Sequence, residues 1–226
     1  MLARLPKTGG CKGSSLIGAA LAGLLWSSNL TASPITFDFD HTLNGAPPIG
    51  PTPWLTAAFA SVANGVQLTL SAPGLTGSES VNQFFFNLNL TLNPASLNFT
   101  ETGSVGSFAG PTVATGVDSF KPPWDGKYDV MVSFNSAQFI GGDSVTLSIT
   151  GIAGLNANDF LFRNSPTAGH AANFAAADIT TVGEAVVLDT PPPVPDGAST
   201  MLLLGLGVLA GECVRRKLSN KSETAS

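Results

Sequence analysis

Apolar residues recur at every second position through most of the middle of the chain. Ile35, Phe37 and Phe39 alternate with Thr36, Asp38 and Asp40, and Val66, Leu68 and Leu70 alternate with Gln67 and Thr69. Side chains two apart share one face of a strand, so this period predicts strands with one face turned to a core. It recurs over residues 81–92, where Phe84, Phe86, Leu88, Leu90 and Leu92 share a face, then in Leu97 and Phe99, in Val130, Val132 and Phe134, and in Val145, Leu147 and Ile149. Phe160 with Phe162, and Val186 with Leu188, predict two more strands. Gly, Pro, Asn and Asp clusters separate these runs, as in Gly45-Ala46-Pro47-Pro48 and Gly141-Gly142-Asp143. About eight to ten strands with such turns predict an all-β domain over residues 33–189, an antiparallel sandwich of jelly-roll type. Only residues 171–179 depart from the pattern: the stretch is Ala-rich and predicts either a short helix or a loop.

Both ends of the chain follow other rules. Arg4, Lys7 and Lys12 precede an apolar run from Ser14 to Trp26, and a small, polar stretch ends at Ala32. That order predicts a secretory signal peptide over residues 1–32, removed by signal peptidase after Ala32. The run is short for a span of about 20 residues, which weighs against an uncleaved anchor. At the other end, Pro191-Pro192-Pro193 predicts a stiff, extended linker. A Leu- and Gly-rich run from Met201 to Ala210 then predicts a membrane segment, closed by the basic residues Arg215, Arg216 and Lys217. The positive-inside rule keeps those three on the cytoplasmic side. The organisation expected is therefore signal peptide 1–32, sandwich 33–189, linker and motif 190–200, transmembrane segment and basic stop 201–217, and cytoplasmic tail 218–226.

Charge narrows the partners. Residues 33–193 carry three basic side chains (Lys121, Lys127 and Arg163) against twelve acids, a formal balance of −9. A phosphate backbone needs a basic face, so nucleic acid is excluded as a partner. The two cysteines, Cys11 and Cys213, both fall in the end segments. An exported compartment permits disulfides, and this domain has no cysteine with which to form one.

The tail carries the most specific motif. Val194-Pro195-Asp196 is followed by Ser199-Thr200, the apolar run and the basic stop. This order resembles the PEP-CTERM class of bacterial sorting signals, in its Val-Pro-Asp-Ser-Gly variant. Gly197-Ala198 stands where that variant has Ser-Gly, and Glu212 interrupts the apolar run. The resemblance implies recognition by an exosortase in the membrane, with Val194, Pro195, Asp196, Ser199 and Thr200 as the sorting motif. It also implies transfer to the cell surface or extracellular matrix, in association with exopolysaccharide. A plain, unprocessed anchor is the alternative. Phe120-Lys121, Asp125-Gly126-Lys127-Tyr128-Asp129, Gly141-Gly142-Asp143-Ser144-Val145, Asn158-Asp159-Phe160 and the late His170 also follow an order seen in exosortase-tailed proteins. That second resemblance implies no activity.

Chemistry is sparse by comparison. His41 and His170 are the natural bases at neutral pH, and neither sits at a metal-binding His spacing. No Gly-x-Ser-x-Gly elbow is present. The chain is accordingly read as non-catalytic, with no catalytic residue assigned and a secreted hydrolase as the weakest alternative. Asp38 with Asp40, and Asp125 with Asp129, are candidates for hard oxygen ligands to calcium, against the plainer reading of solvated turn acids. Trp54, Trp124 and Tyr128 are candidates for an aromatic platform under sugar rings, against the plainer reading of plugs at the sandwich ends. The leading expectation is an exported, exosortase-sorted structural or binding protein of the exopolysaccharide matrix. The alternative is a secreted carbohydrate-binding module, assisted by calcium or not.

Overall fold

The computed structural model describes residues 33–135, 138–167, 172–180 and 183–187. Twelve strands form two antiparallel sheets among these residues. The first sheet has the order β1-β3-β4-β10-β6, from β1 (Ile35–Phe39), β3 (Leu55–Val62), β4 (Gly65–Ser71), β10 (Ser144–Thr150) and β6 (Asn98–Val105). The second has the order β2-β12-β11-β5-β8-β7, from β2 (His41–Asn44), β12 (Gly183–Val187), β11 (Ala175–Ile179), β5 (Ser80–Phe86), β8 (Tyr128–Ser133) and β7 (Thr112–Phe120). The short β9 (Phe139–Ile140) pairs with β5 beside β8.

The alternating pattern places one phenylalanine set between the sheets. Phe37, Phe39, Phe59, Phe84 and Phe86 are fully buried. Phe39 of β1 meets Phe84 of β5 at 5.5 Å between ring centroids, and Phe59 of β3 meets Phe86 at 5.2 Å, both edge-on. These pairs join the two sheets, which makes the fold a sandwich. Each contributes about 0.5–1.5 kcal/mol beyond its burial. The β3–β4 hairpin turns through Ala63-Asn64, with Asn64 at φ 69, a left-handed position that Asn tolerates better than most residues.

Three sequence expectations are corrected. Residues 175–179 are neither helix nor loop but β11, inside the seven-stranded sheet between β12 and β5. Ala175, Ala176 and Ala177 are all fully buried, Ala175 and Ala177 against the main core and Ala176 in the cluster with Phe85, Tyr128 and Val186 on the other face of the sheet. Tertiary packing overrides the helical preference of Ala. The strand expected over residues 81–92 ends at Phe86; Leu88 stays buried, but Leu90 is exposed. Phe160 belongs to a 3₁₀ turn, Ala157–Phe160, capped by Asn156, and its ring stacks on Phe59 at 4.6 Å.

No disulfide ties the loops, and carboxylates do that work instead. Glu79 accepts from the backbone N–H of Ile49 at 2.9 Å and of Thr76 at 3.1 Å. Asp143 accepts from Ile140 N–H at 2.9 Å. Asp159 accepts from Asn156 N–H at 3.0 Å. Asp129 on β8 accepts from Leu88 N–H at 3.0 Å and from Asp118 N–H at 2.9 Å. It thereby satisfies the backbone where β5 ends and where β7 bulges between Thr115 and Phe120. Each bond pairs a backbone donor that would otherwise go unmet inside the fold.

Candidate functional site

Trp124 lies in the segment linking β7 to β8, directly after Pro122-Pro123. It is 51% exposed, while the other tryptophan of the described residues, Trp54, is 5% exposed. The prolines fix the backbone on its N-terminal side. Its own N–H donates to Oε2 of Glu184 on β12 at 3.2 Å. The next residue, Asp125, is fully buried. Its carboxylate accepts from Gly126 N–H at 2.6 Å, from Asn164 Nδ2 at 2.7 Å and from the Tyr128 hydroxyl. Thr167 Oγ1 donates to the Asp125 carbonyl at 3.2 Å. Lys127 and Ser165 exchange two backbone hydrogen bonds of 3.0 and 3.2 Å. An exposed indole is thus carried on a loop tied to β12 and to the segment 164–167.

Beneath this loop, the outer face of the seven-stranded sheet holds a small second cluster: Phe85, Tyr128, Ala176 and Val186, with Phe120 and Met131 against it. Among the described residues the two buried acids beside it, Asp125 and Glu184, have no cationic partner; the ion pair there is His41 with Asp40, at 2.5 Å on the surface. Burial first, and the charge of Asp125 second, raise the Glu184 carboxyl to about 8, with the Trp124 N–H pulling the other way. Glu184 is therefore protonated at neutral pH. Burial, then Asp125, pushes the Tyr128 hydroxyl well above the usual phenol range. Glu184 Oε1 and both side-chain polar atoms of Asn173 have no hydrogen-bond partner among the described residues.

The structure separates the three aromatic candidates. Tyr128 is fully buried, 5.8 Å from Phe85 between ring centroids, so it offers no ring face to solvent. Trp54 is a plug of the main core, its Nε1 donating to the Gly50 carbonyl at 3.1 Å. Gly74 lets this happen: a Cβ there would lie 2.0 Å from the Pro51 carbonyl oxygen and 2.9 Å from Trp54 Cα. Neither is a platform. Trp124 is the member of the set that is exposed.

The acidic candidates are also separated. Asp38 and Asp40 are exposed, on β1 and just after it. Partial burial and the nearby Asp40 raise the Asp38 carboxyl above its ordinary value. Asp125 and Asp129 are buried, and their oxygens already accept the donors named above. No cluster of three or more His, Cys, Asp or Glu side chains suited to a metal occurs among the described residues. No local motif marks Asn164, Asn173 and Glu184, since β12 and residues 164–167 meet the Trp124 loop, and Asn173 meets Asn164, only in the fold. His170, the signal segment 1–32, the sorting residues Val194, Pro195, Asp196, Ser199 and Thr200, and the basic stop Arg215, Arg216 and Lys217 lie outside the described residues. Among the described residues no helix is long and apolar enough to cross a membrane.

A concavity of about 240 Å³ opens between β6 and β7, which are the outermost strands of the two sheets on one side. Asn98, Phe99, Glu101, Pro111, Val113 and Thr115 help line it.

No protein-family model and no curated protein matches the chain. Among solved structures it is similar to a family 3b carbohydrate-binding module from the biomass sensoring system of Clostridium clariflavum. The identity is 13% and the TM-score 0.30, over 71% of this chain and 98% of that one. A likeness at that level says nothing of the ligand.

Proposed function

We propose that the protein is an exported bacterial surface or matrix protein whose sandwich binds polysaccharide without acting on it. The observation that carries the binding half is Trp124. A large apolar surface held half-exposed on a firmly tied loop pays little ordering entropy when a ligand lands on it. Sugar rings present flat apolar C–H faces to such an indole, while their hydroxyls stay in water. The acidic balance of the domain directs this reading toward neutral or cationic polymers, because like charge repels an anionic one.

Support for the export half is the order of segments at the two ends. An N-terminal signal helix delivers the chain to signal peptidase. A C-terminal transmembrane helix presents Val194-Pro195-Asp196 to an exosortase on the outer side, with Arg215, Arg216 and Lys217 held inside. In this reading the exopolysaccharide is both the destination and the ligand. Calcium has no assigned role in it.

The test is a glycan array probed with the full-length protein and with Trp124→Ala. Binding of the parent to one family of neutral or amino-sugar polymers, with loss in the variant, supports the proposal. Equal binding by both proteins removes Trp124 from it.

A further inference from the structure

We propose that the cleft between β6 and β7 is a separate saccharide subsite, which holds a single pyranose unit through the carboxylate of Glu101. The proposal rests on the reading that the sandwich binds polysaccharide, but it uses none of the residues that carry Trp124.

The place follows from topology. Among the described residues β6 hydrogen-bonds only to β10, and β7 only to β8, so within them each has one free edge. Free edges leave alternate backbone N–H and C=O groups unpaired. The walls between them hold apolar side chains (Phe99, Val113 and Pro111) alongside the polar Asn98, Glu101 and Thr115. The surface that meets solvent there is mainly polar. Donors, acceptors and apolar patches at close range suit a polyhydroxylated ring. The volume of about 240 Å³ is below the range of about 300–1,000 Å³ typical of sites that enclose larger ligands. One ring fits such a space, with the rest of the polymer outside.

Glu101 supplies the charge, and Gly110 sets its position. A Cβ on Gly110 would lie 2.4 Å from Oε2 of Glu101. The carboxylate therefore rests against bare backbone beside Pro111, at the lining of the cleft. No Lys, Arg or His of the described residues forms an ion pair with it. It is an acceptor for a ligand hydroxyl or ammonium. Over the described residues three basic side chains face eleven acids, so a uronate is disfavoured.

Isothermal titration of the full-length protein in detergent micelles tests this, with trisaccharides of glucose, glucosamine and glucuronate as probes. The parent, Glu101→Gln, Gly110→Ala and Trp124→Ala are compared. Gly110→Ala keeps the charge and displaces it, and the obstructing atom is the far end of a flexible side chain, so the fold is expected to hold; a thermal melt checks this. The expected result is that the parent binds the glucose or the glucosamine trisaccharide and not the glucuronate one. Glu101→Gln and Gly110→Ala each weaken that binding at least tenfold. Preference for glucosamine would show an ammonium facing Glu101, and preference for glucose a hydroxyl; both support the subsite. Loss confined to Trp124→Ala overturns the cleft and leaves polysaccharide binding in place. Glucuronate binding equal to glucose binding also overturns it. No binding by the parent to any probe, together with a blank glycan array, ends both.

Discussion

The backbone N–H of Trp124 donates to the side chain of Glu184 at 3.2 Å, joining the most exposed tryptophan of the sandwich to one of its most buried acids. Because the acid keeps its proton up to about pH 8, this link is sensitive to pH in an unusual direction for a carboxyl group.

In the unfolded chain Glu184 releases its proton near 4.5, and in the folded chain near 8. Its contribution to stability is full below pH 4.5, declines as pH rises from there through about 8, and is flat above that. The span corresponds to roughly 3–5 kcal/mol. Glu184→Gln retains an oxygen to accept the Trp124 N–H and cannot ionise. Urea unfolding at pH 5 and pH 9 should show a decline in the parent that is largely missing in the variant. A decline of the same size in both would remove Glu184 as its source.

Asp129 accepts from two backbone donors on different strands' ends. Charge-assisted hydrogen bonds of this kind contribute about 1.5–3 kcal/mol each. Asp129→Ala should lower stability by about 3–5 kcal/mol, and Asp129→Asn by less, since the amide keeps one acceptor. Denaturant midpoints measure both, and an unchanged midpoint for Asp129→Ala would show that the loops hold without this tie.

Trp54→Ala and Trp124→Ala should part company in the same assay. Trp54 fills the core, so its loss costs about 3–5 kcal/mol. Trp124 meets solvent, and its loss should stay within about 1 kcal/mol. Similar losses for the two would mean that Trp124 is a structural residue.

How far the sequence carried can be seen at particular residues. The alternation at Ile35, Phe37 and Phe39 and at Val66, Leu68 and Leu70 marks strands because each has one face in the core and the other toward solvent or a neighbouring side chain. β11 was not legible: a strand buried on both faces has no alternation, and three alanines in a row resemble a helix. Tyr128 and Trp124 lie four positions apart in a turn-rich segment with similar local chemistry. Only the packing of Tyr128 against Phe85, three strands of sequence away, decides which ring is exposed. Glu184 was invisible as a partner for the same reason, being 60 residues from Trp124.

The tail gives a prediction independent of the sandwich. Replacing Pro195 and Asp196 together with alanine should leave the protein at the membrane with its C-terminus intact. The intact mass of parent and variant from native cells measures this. Identical masses and identical release would count against exosortase processing.

The most direct measurement is retention of the protein in exopolysaccharide isolated from the native host, for the parent and for Trp124→Ala expressed at equal levels. The parent should stay with the polymer through salt washes and the variant should wash out while remaining folded. Equal retention of the two would contradict a sugar-binding role for the exposed indole.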